Sequence, residues 1–221
     1  MHIDHVIIGA RKITEIRDLL RDTHGFGTVE GSAHADGTQG WLVPFDSPHV
    51  QYLELLTARD ERLLLRQGFG RDFLDRTADG PAFLAWAVHS DDIERDAARL
   101  ARLAGADPGL LSGESVRADG QRFPWTEAAF EMAWRSPARP FFLRYGNWPA
   151  RRARLPGDLA RAAHHRTPLR YAAVVVGTAE PRLARWWDGA ALAVQQVPAD
   201  TESVRSVRID TADGAREVTL P

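Results

Sequence analysis

The chain contains one unit twice, and its fold has to place the two copies in equivalent settings. IDHVIIGARKI, beginning at Ile3, lies over FLAWAVHSDDI, beginning at Phe83, at an offset of eighty residues. In this register Ile13 meets Ile93, Leu20 meets Leu100 and Gly25 meets Gly105. Further on, HADGTQGW (residues 34–41) answers RADGQRFPW (117–125), and YLEL (52–55) answers FLRY (142–145). A long period with the same order of strand, helix and Asp-Gly turn marks a duplicated supersecondary unit. The same alignment sets His5 against Ala85 and Glu54 against Arg144, so the copies differ where polar side chains are concerned.

Local pattern fills in the unit. Residues 2–9 alternate and are rich in Ile and Val, which predicts a buried strand. Ile13, Ile16, Leu19 and Leu20 recur at helical spacing, and His24-Gly25 closes that helix. Two or three strands follow through Leu56, broken at Asp36-Gly37 and Asp46-Ser47-Pro48. Module one therefore reads as β-α-β-β-β over residues 1–57. Residues 58–80 form a charged connector whose Leu63, Leu64, Leu65, Phe69 and Phe73 cap part of a sheet. Module two spans 81–147, with a strand at 83–88, Ser90 as the helix N-cap, and an apolar stripe of Ile93, Ala97, Leu100 and Leu103. Its strands fall at 114–117, at 121–134 with interruptions, and at 141–145. Residues 148–168, with Arg151, Arg152, Arg154, Arg161 and Arg166 beside Pro149 and Pro156, read as a solvated Arg-rich linker rather than an anion-binding patch. Residues 169–221 read as a partial third βαββ unit, one strand short, ending in a hairpin closed at Asp213-Gly214.

Composition narrows the function classes. The formal net charge of −2 provides no general electrostatic attraction for nucleic acid. Cysteine is absent, which removes disulfides and thiolate metal sites. No apolar run approaches the ~20 residues that span a bilayer, and the chain starts on a strand-like run without a signal core. The expectation is a cytoplasmic protein whose partner is a small molecule, neither nucleic acid nor membrane, with a homodimer as an open possibility.

The duplicated β-α-β-β-β unit, with IDHV opening and YLEL closing its first copy, resembles the vicinal oxygen chelate superfamily, and within it the glyoxalase-like domain family. IDHVIIG, HADGTQGWLVPF and YLELL carry the resemblance in module one, and PFFLRYG carries it at the end of module two. It implies an α+β fold of tandem βαβββ modules, of the glyoxalase, bleomycin-resistance and extradiol-dioxygenase type, with a partial third unit. Each module curls into a half-barrel, its first and fourth strands adjacent, and two modules enclose a cavity. It also implies that His5 and Glu54 occupy the two metal-ligand positions of module one. The scaffold hosts isomerases, lyases, dioxygenases and metal-free binding proteins, so it does not fix an activity.

Strand alternation independently points Ile3, His5 and Ile7 one way on the first strand and Val50, Tyr52, Glu54 and Leu56 one way on the last, so that His5 and Glu54 are expected to share a face and point into one cavity. Polar groups at such positions are costly to bury unless they are paired or ligating. An imidazole and a carboxylate suit Zn, Fe(II), Mn or Ni; a hydrogen-bonded couple is the alternative. Ala85 cannot ligate and Arg144 would repel an ion, so a third ligand would come from His34, or less readily His49. In the rival reading Arg144 meets Glu54 across the pseudo-two-fold axis or binds a substrate carboxylate or enolate. Trp41, Tyr52, Trp86, Trp125 and Tyr145 are candidates to line the cavity, or alternatively to pack in the core. His89 is expected to face solvent, and His164-His165 to have no role. Two functions stay open: a metal-assisted lyase, isomerase or dioxygenase with a divalent ion, and a metal-free binding or sequestration protein of the resistance type.

Overall fold

A computed structural model describes residues 1–117 and 119–221. Module one comprises β1 (His2–Ala10), α1 (Ile13–Leu19) running into a π-turn (Leu20–His24), β2 (Val29–Ala33), β3 (Thr38–Pro44) and β4 (Tyr52–Ala58). Two short helices follow, α2 (Glu61–Leu64) and α3 (Gly68–Arg76). Module two comprises β5 (Ala82–His89), α4 (Ile93–Ala104), β6 (Leu111–Val116), β7 (Arg122–Ala128), α5 (Phe130–Arg135) and β8 (Phe141–Tyr145). Residues 130–134, expected within a strand, are thus helical. The cap of α4 is Asp92, whose side chain accepts from Arg95 N, while Ser90 Oγ supports Asp92 N. Gly25 and Gly105, eighty residues apart, end their helices at φ 76° and 65°, a left-handed conformation that glycine adopts without steric cost.

The two modules form one eight-stranded sheet in the order β2-β3-β4-β1-β5-β8-β7-β6. The first strands of the two copies, β1 and β5, meet antiparallel at its centre, and Val6 pairs with Trp86, its own repeat equivalent. The pseudo-two-fold axis therefore passes through that pair. The sheet's outer edges come together at a bridge between Ser32 and Arg117, which brings it close to a closed barrel.

Both faces of the central strands are buried, for different reasons. On the convex face Val6, Ile8, Leu53, Leu55, Trp86, Val88 and Phe142 pack with Ile16 and Leu20 of the first helical segment and with Ile93, Ala97 and Leu100 of α4. On the concave face Ile7, Leu56, Ala85, Ala87 and Phe141 pack with Phe73 and Leu74 of α3 and with Ala133 and Trp134 of α5. These connector helices floor the barrel's interior.

The register also corrects the repeat alignment at its end. Ile7 pairs with Glu54, while Ala87, eighty residues after Ile7, pairs with Phe141. The counterpart of Glu54 is Phe141, not Arg144. The sequence alignment had slipped by three residues, and an odd slip sends every side chain to the other face.

Beyond module two the chain again departs from expectation. Trp148–Ala162 is a helix, α6, in place of a solvated linker. Asn147 caps it, Pro149 sits in its first turn where no N–H partner is needed, and Arg151 and Asp158 are buried. The last unit is β9 (Pro168–Gly177), a 3-10 turn (Leu183–Trp187), β10 (Val194–Val197), β11 (Ser203–Thr211) and β12 (Gly214–Val218). It has one strand more than expected, β10, and a separate sheet in the order β10-β9-β11-β12. Its Val174, Val176, Val207 and Ile209 join the core on the convex face.

Candidate functional site

A cavity of ≈ 1670 Å³ occupies the concave side. His5 and Glu54 both face it, from neighbouring parallel strands, with His5 Nε2 3.3 Å from Glu54 Oε2. His5 is 97% buried (3% exposed) and stacks on Tyr52 with ring centroids 4.8 Å apart.

The local backbone explains the other side of the histidine. Ile3 pairs with Val88 and His5 with Ala87, so Asp4 is an extra residue on β1, a β-bulge. The bulge turns the Asp4 carboxylate onto its neighbour, and Asp4 Oδ1 lies 2.7 Å from His5 Nδ1. Asp4 is fully buried. Burial alone would raise its carboxyl pKa, but the Arg151 guanidinium and the His5 hydrogen bond outweigh it and hold Asp4 well below the usual carboxylate range. An ionised carboxylate only accepts, so Nδ1 carries the proton. In the neutral ring Nε2 then presents its lone pair to the cavity beside Glu54. Two acceptors 3.3 Å apart repel unless they share a proton or a positive charge.

Arg151 reaches this site from α6. It donates to Asp4 Oδ2 at 3.0 Å, to Asp4 Oδ1 at 3.2 Å and to Val50 O at 3.2 Å. Its guanidinium lies 3.6 Å from the Tyr145 ring centroid. Val50 has φ 51°, a true outlier for a β-branched residue, and such strain persists where surroundings hold it. Tyr145 donates to Asp4 Oδ1 at 3.2 Å and its hydroxyl is 3.0 Å from that of Tyr52. Burial pushes both phenols well above their ordinary pKa. From β9, Tyr171 accepts from Val6 N and donates to Tyr52 O, tying β1 to β4 beside the histidine.

A second carboxyl was missed by the sequence reading. Glu127, on β7, lines the cavity, and burial, with a further push from Glu54, raises its pKa to about 7 despite the opposing influence of His5. Its only sequence signal was its place in the interrupted segment 121–134.

The structure sorts the remaining expected site residues by strand face. Tyr52, Trp125 and Tyr145 line the cavity. Trp86 is on the convex face, fully buried, with its indole N–H donated to Ala138 O. Trp41 packs against that same core and donates to Thr57 Oγ1. Arg144 also points away from the cavity and forms a two-pronged pair with Glu94 of α4, at 2.9 and 2.8 Å. Leu143 and Tyr145 flank it and face inward. The expectation that Arg144 meets Glu54 or an anionic substrate is therefore corrected.

Metal ligation fits only in part. Ala85 and Phe141 stand at the module-two positions that would supply further donors. His34 lines the cavity, but its Nδ1 is 2.8 Å from Thr38 Oγ1, and His49 stacks on His2. Among the described residues no group of three or more His, Asp or Glu side chains is placed to hold a metal ion. His5 and Glu54 are two donors with a well-built outer shell, short of the three or four protein ligands of a zinc site. His89, expected in solvent, stacks on His2 with centroids 4.8 Å apart and lies against Trp148.

The far end of the cavity is apolar. Phe69, Phe130 and Trp134 form an aromatic wall, with Arg76 lying 4.6 Å from the Trp134 centroid. Both arginines that line the cavity, Arg76 and Arg135, are paired with Asp72 and Glu131.

Comparisons with known proteins agree with this architecture. The family model described as glyoxalase-like domain matches residues 3–191. A crystal structure of a hypothetical protein from Staphylococcus aureus superposes with a TM-score of 0.69 at 14% identity, covering 96% of this chain and 92% of that one. At this identity the likeness establishes the fold alone. Methylmalonyl-CoA epimerases from Streptomyces coelicolor (20% identity, 65% of this chain, 94% of that one, TM-score 0.43) and Mycobacterium tuberculosis (17%, 68%, 91%, 0.41) also match, too loosely to bear on function. No curated protein sequence matches. No helix among the described residues is long and apolar enough to cross a membrane.

Proposed function

The chain belongs to the glyoxalase-like domain family, and from that premise we propose that it binds a small neutral or positively charged organic molecule in the barrel cavity and moves a proton on it, as an isomerase or lyase working through its own side chains. The observation that carries this reading is His5, held by Asp4 on one nitrogen and presenting the other to the cavity beside Glu54. A titratable group perturbed by burial in a cleft is a functional signature, and Glu127, with a pKa of about 7, is such a group in the same cavity.

In this mechanism His5 Nε2 takes a proton from a carbon next to a carbonyl. The new Nε2–H points at Glu54, whose negative charge stabilises the imidazolium. Glu127, partly protonated near neutrality, donates to the developing enolate oxygen and takes the proton back when the carbon is reprotonated. An acid with a pKa near the working pH suits this exchange. The arginines in the cavity are already paired, and Arg144 is outside it, so the ligand class favoured is not anionic. A dioxygenase reading would need an ion held by a histidine-histidine-carboxylate set, which Ala85 and Phe141 do not complete. The aromatic wall favours sequestration as the second reading, since it supplies binding area without chemistry.

Proton exchange in deuterium oxide tests the two. Small ketones, aldehydes and amino-ketones are incubated with the protein and followed by NMR. The expected outcome is deuterium entry at the carbon beside the carbonyl of at least one compound, slowed about 100-fold or more in His5→Ala and at least ~10-fold in Glu127→Gln. A compound that saturates the cavity calorimetrically while no compound of the panel exchanges would replace the enzyme reading with sequestration.

A further inference from the structure

We propose that Arg117, Arg154 and Arg161 form a binding site for a doubly charged oxyanion, a phosphate group above all, at the seam where the barrel's outer edges meet. None of the three lines the barrel cavity, so the inference stands apart from the reading of His5. The sequence sets the arrangement. Arg154 and Asp158 are four residues apart on α6, and Asp158 and Arg161 three, so these side chains are neighbours on the helix surface. Arg117 is the residue that bridges Ser32 across the seam. All three guanidiniums converge on the Asp158 carboxylate. Arg117 Nη2 donates to Oδ1 at 3.0 Å, Arg154 Nε donates to Oδ2 at 2.8 Å, and Arg161 Nη2 also donates to Oδ1.

Three positive charges thus meet one negative charge, an excess of two. Among the described residues no second carboxylate pairs with any of them. The cluster is not solvated evenly: Asp158 is 3% exposed and Arg117 8%. Like charges drawn out of water are costly unless they are matched. Burial lowers the Arg154 pKa, and Arg117 and Arg151 lower it further against the opposing pull of Asp158. Arg161 lies in the last turn of α6, whose C-terminus carries about half a negative charge and offsets only part of the excess. Unspent donors accompany the unspent charge. Arg117 Nη1 is buried without an acceptor among the described residues. Among those residues Arg154 bonds only through Nε and Arg161 only through Nη2, and the Arg161 side chain is exposed. The Arg154 guanidinium lies 4.4 Å from the Phe123 centroid, which holds its plane in place. A phosphate dianion matches both the charge excess and the planar forks, whereas a lone carboxylate matches half of the charge. Free phosphate and a phosphate monoester present the same group.

Calorimetric titration of the whole chain at pH 7.5 and constant ionic strength tests the site, with inorganic phosphate, glycerol phosphate and acetate as probes. The expected result is saturable binding of phosphate at one site, with acetate at least ~10-fold weaker. Arg161→Gln should weaken phosphate at least ~10-fold, the loss that follows removal of one charge-assisted hydrogen bond. Its side chain is exposed, so it serves even where Arg154→Gln, expected to weaken binding as much, does not fold. Arg95→Gln, at an exposed position on α4, should leave binding unchanged. Glycerol phosphate held more tightly than phosphate would identify an organic monoester as the occupant, and the reverse order the free ion; both agree with the site. Absence of saturable phosphate binding would overturn the proposal and leave the cluster as a tie between Arg117 and α6. So would phosphate binding that Arg161→Gln leaves intact, or that Arg95→Gln weakens equally. Acetate bound as tightly as phosphate would overturn the assignment to a dianion.

Discussion

The two copies of the repeat face one cavity with opposite chemistry. In module one the inward positions near the axis are His5 and Glu54; in module two the same positions are Ala85 and Phe141. Asp4 in the bulge corresponds to Leu84, a fully buried hydrophobe. Duplication doubled the walls of the barrel, and only one half kept polar groups at the centre. The other half supplies apolar surface at the axis, and Glu127, a half-buried acid that it turns inward, comes from β7, a strand that has no part in the axis. A site built this way is asymmetric: a histidine and a carboxylate at the centre on one side, an alanine and a phenylalanine on the other.

The largest expected effect breaks that asymmetry at Asp4. Asp4→Ala leaves Arg151 buried without its partner, and losing one member of a buried pair costs about 3–5 kcal/mol. Urea unfolding of Asp4→Ala beside Leu84→Ala compares one repeat position in the two modules. The leucine truncation should cost about 2–5 kcal/mol through its cavity, and combining Asp4→Asn with Arg151→Met should recover most of what Asp4→Ala loses. Loss of stability in the double variant equal to that of Asp4→Ala would show that packing, not charge, dominates at this position.

A second test restores symmetry. Ala85→His with Phe141→Glu gives module two the donors of module one. Calorimetry should detect Ni²⁺ or Zn²⁺ binding at least ~10-fold tighter than to the parent, alongside about 1–3 kcal/mol of lost stability from overfilling a packed face. Unchanged metal affinity would mean that the two halves do not converge on one point.

Much of this comparison was legible in the sequence, and the rest was hidden for specific reasons. The offset of eighty is reproduced by the pairing of Val6 with Trp86, because hydrophobic pattern and Asp-Gly turns fix strand order. The identity of residues facing the cavity failed where parity failed. FLRY was laid on YLEL, and the three-residue slip turned Arg144 inward on paper; the structure puts Phe141, Leu143 and Tyr145 inward instead. Trp86 and Trp41 erred for a related reason, since an aromatic residue on a strand buried on both faces carries no sign of which face it serves. Arg151 could not be read at all. Two prolines and five arginines resemble a solvated linker, and the partner that buries Arg151 lies 147 residues away in the chain.

The seam between the modules gives a smaller effect, dependent on pH. The His2 ring stacks on His49 and His89, with centroids 4.3 and 4.8 Å away, where β1 meets β5. Burial first, then the neighbouring His89, lowers the His2 pKa to about 4, and burial lowers that of His89 as well. In the unfolded chain these rings take up protons near pH 6.5. Between about 6.5 and 4 the unfolded state therefore binds more protons, and stability falls as pH falls. The stack is partly solvated, so the loss is on the order of 1 kcal/mol after screening. Urea midpoints from pH 7.5 to 4.5 should slope downward, and His2→Gln should flatten the slope. A slope unchanged by that variant would place the acid sensitivity elsewhere.

The smallest effect contrasts Glu54 with Arg144, the pair that the sequence set face to face. Arg144 bonds Glu94 on the outside of the barrel, where both side chains are substantially exposed. Such pairs contribute about 0–1 kcal/mol, so Arg144→Ala should shift the urea midpoint barely and leave cavity ligands bound as before. Glu54 lies inside, 3.3 Å from His5, with a side chain only 18% exposed. Glu54→Gln keeps its volume, removes its charge, and should leave stability nearly unchanged while weakening the binding of a cationic cavity ligand or slowing proton exchange at least ~10-fold. Measured side by side with one probe compound, the two variants locate the functional face. Weaker binding from Arg144→Ala and none from Glu54→Gln would reverse the assignment of inside and outside along β8 and β4, and with it the asymmetry between the modules.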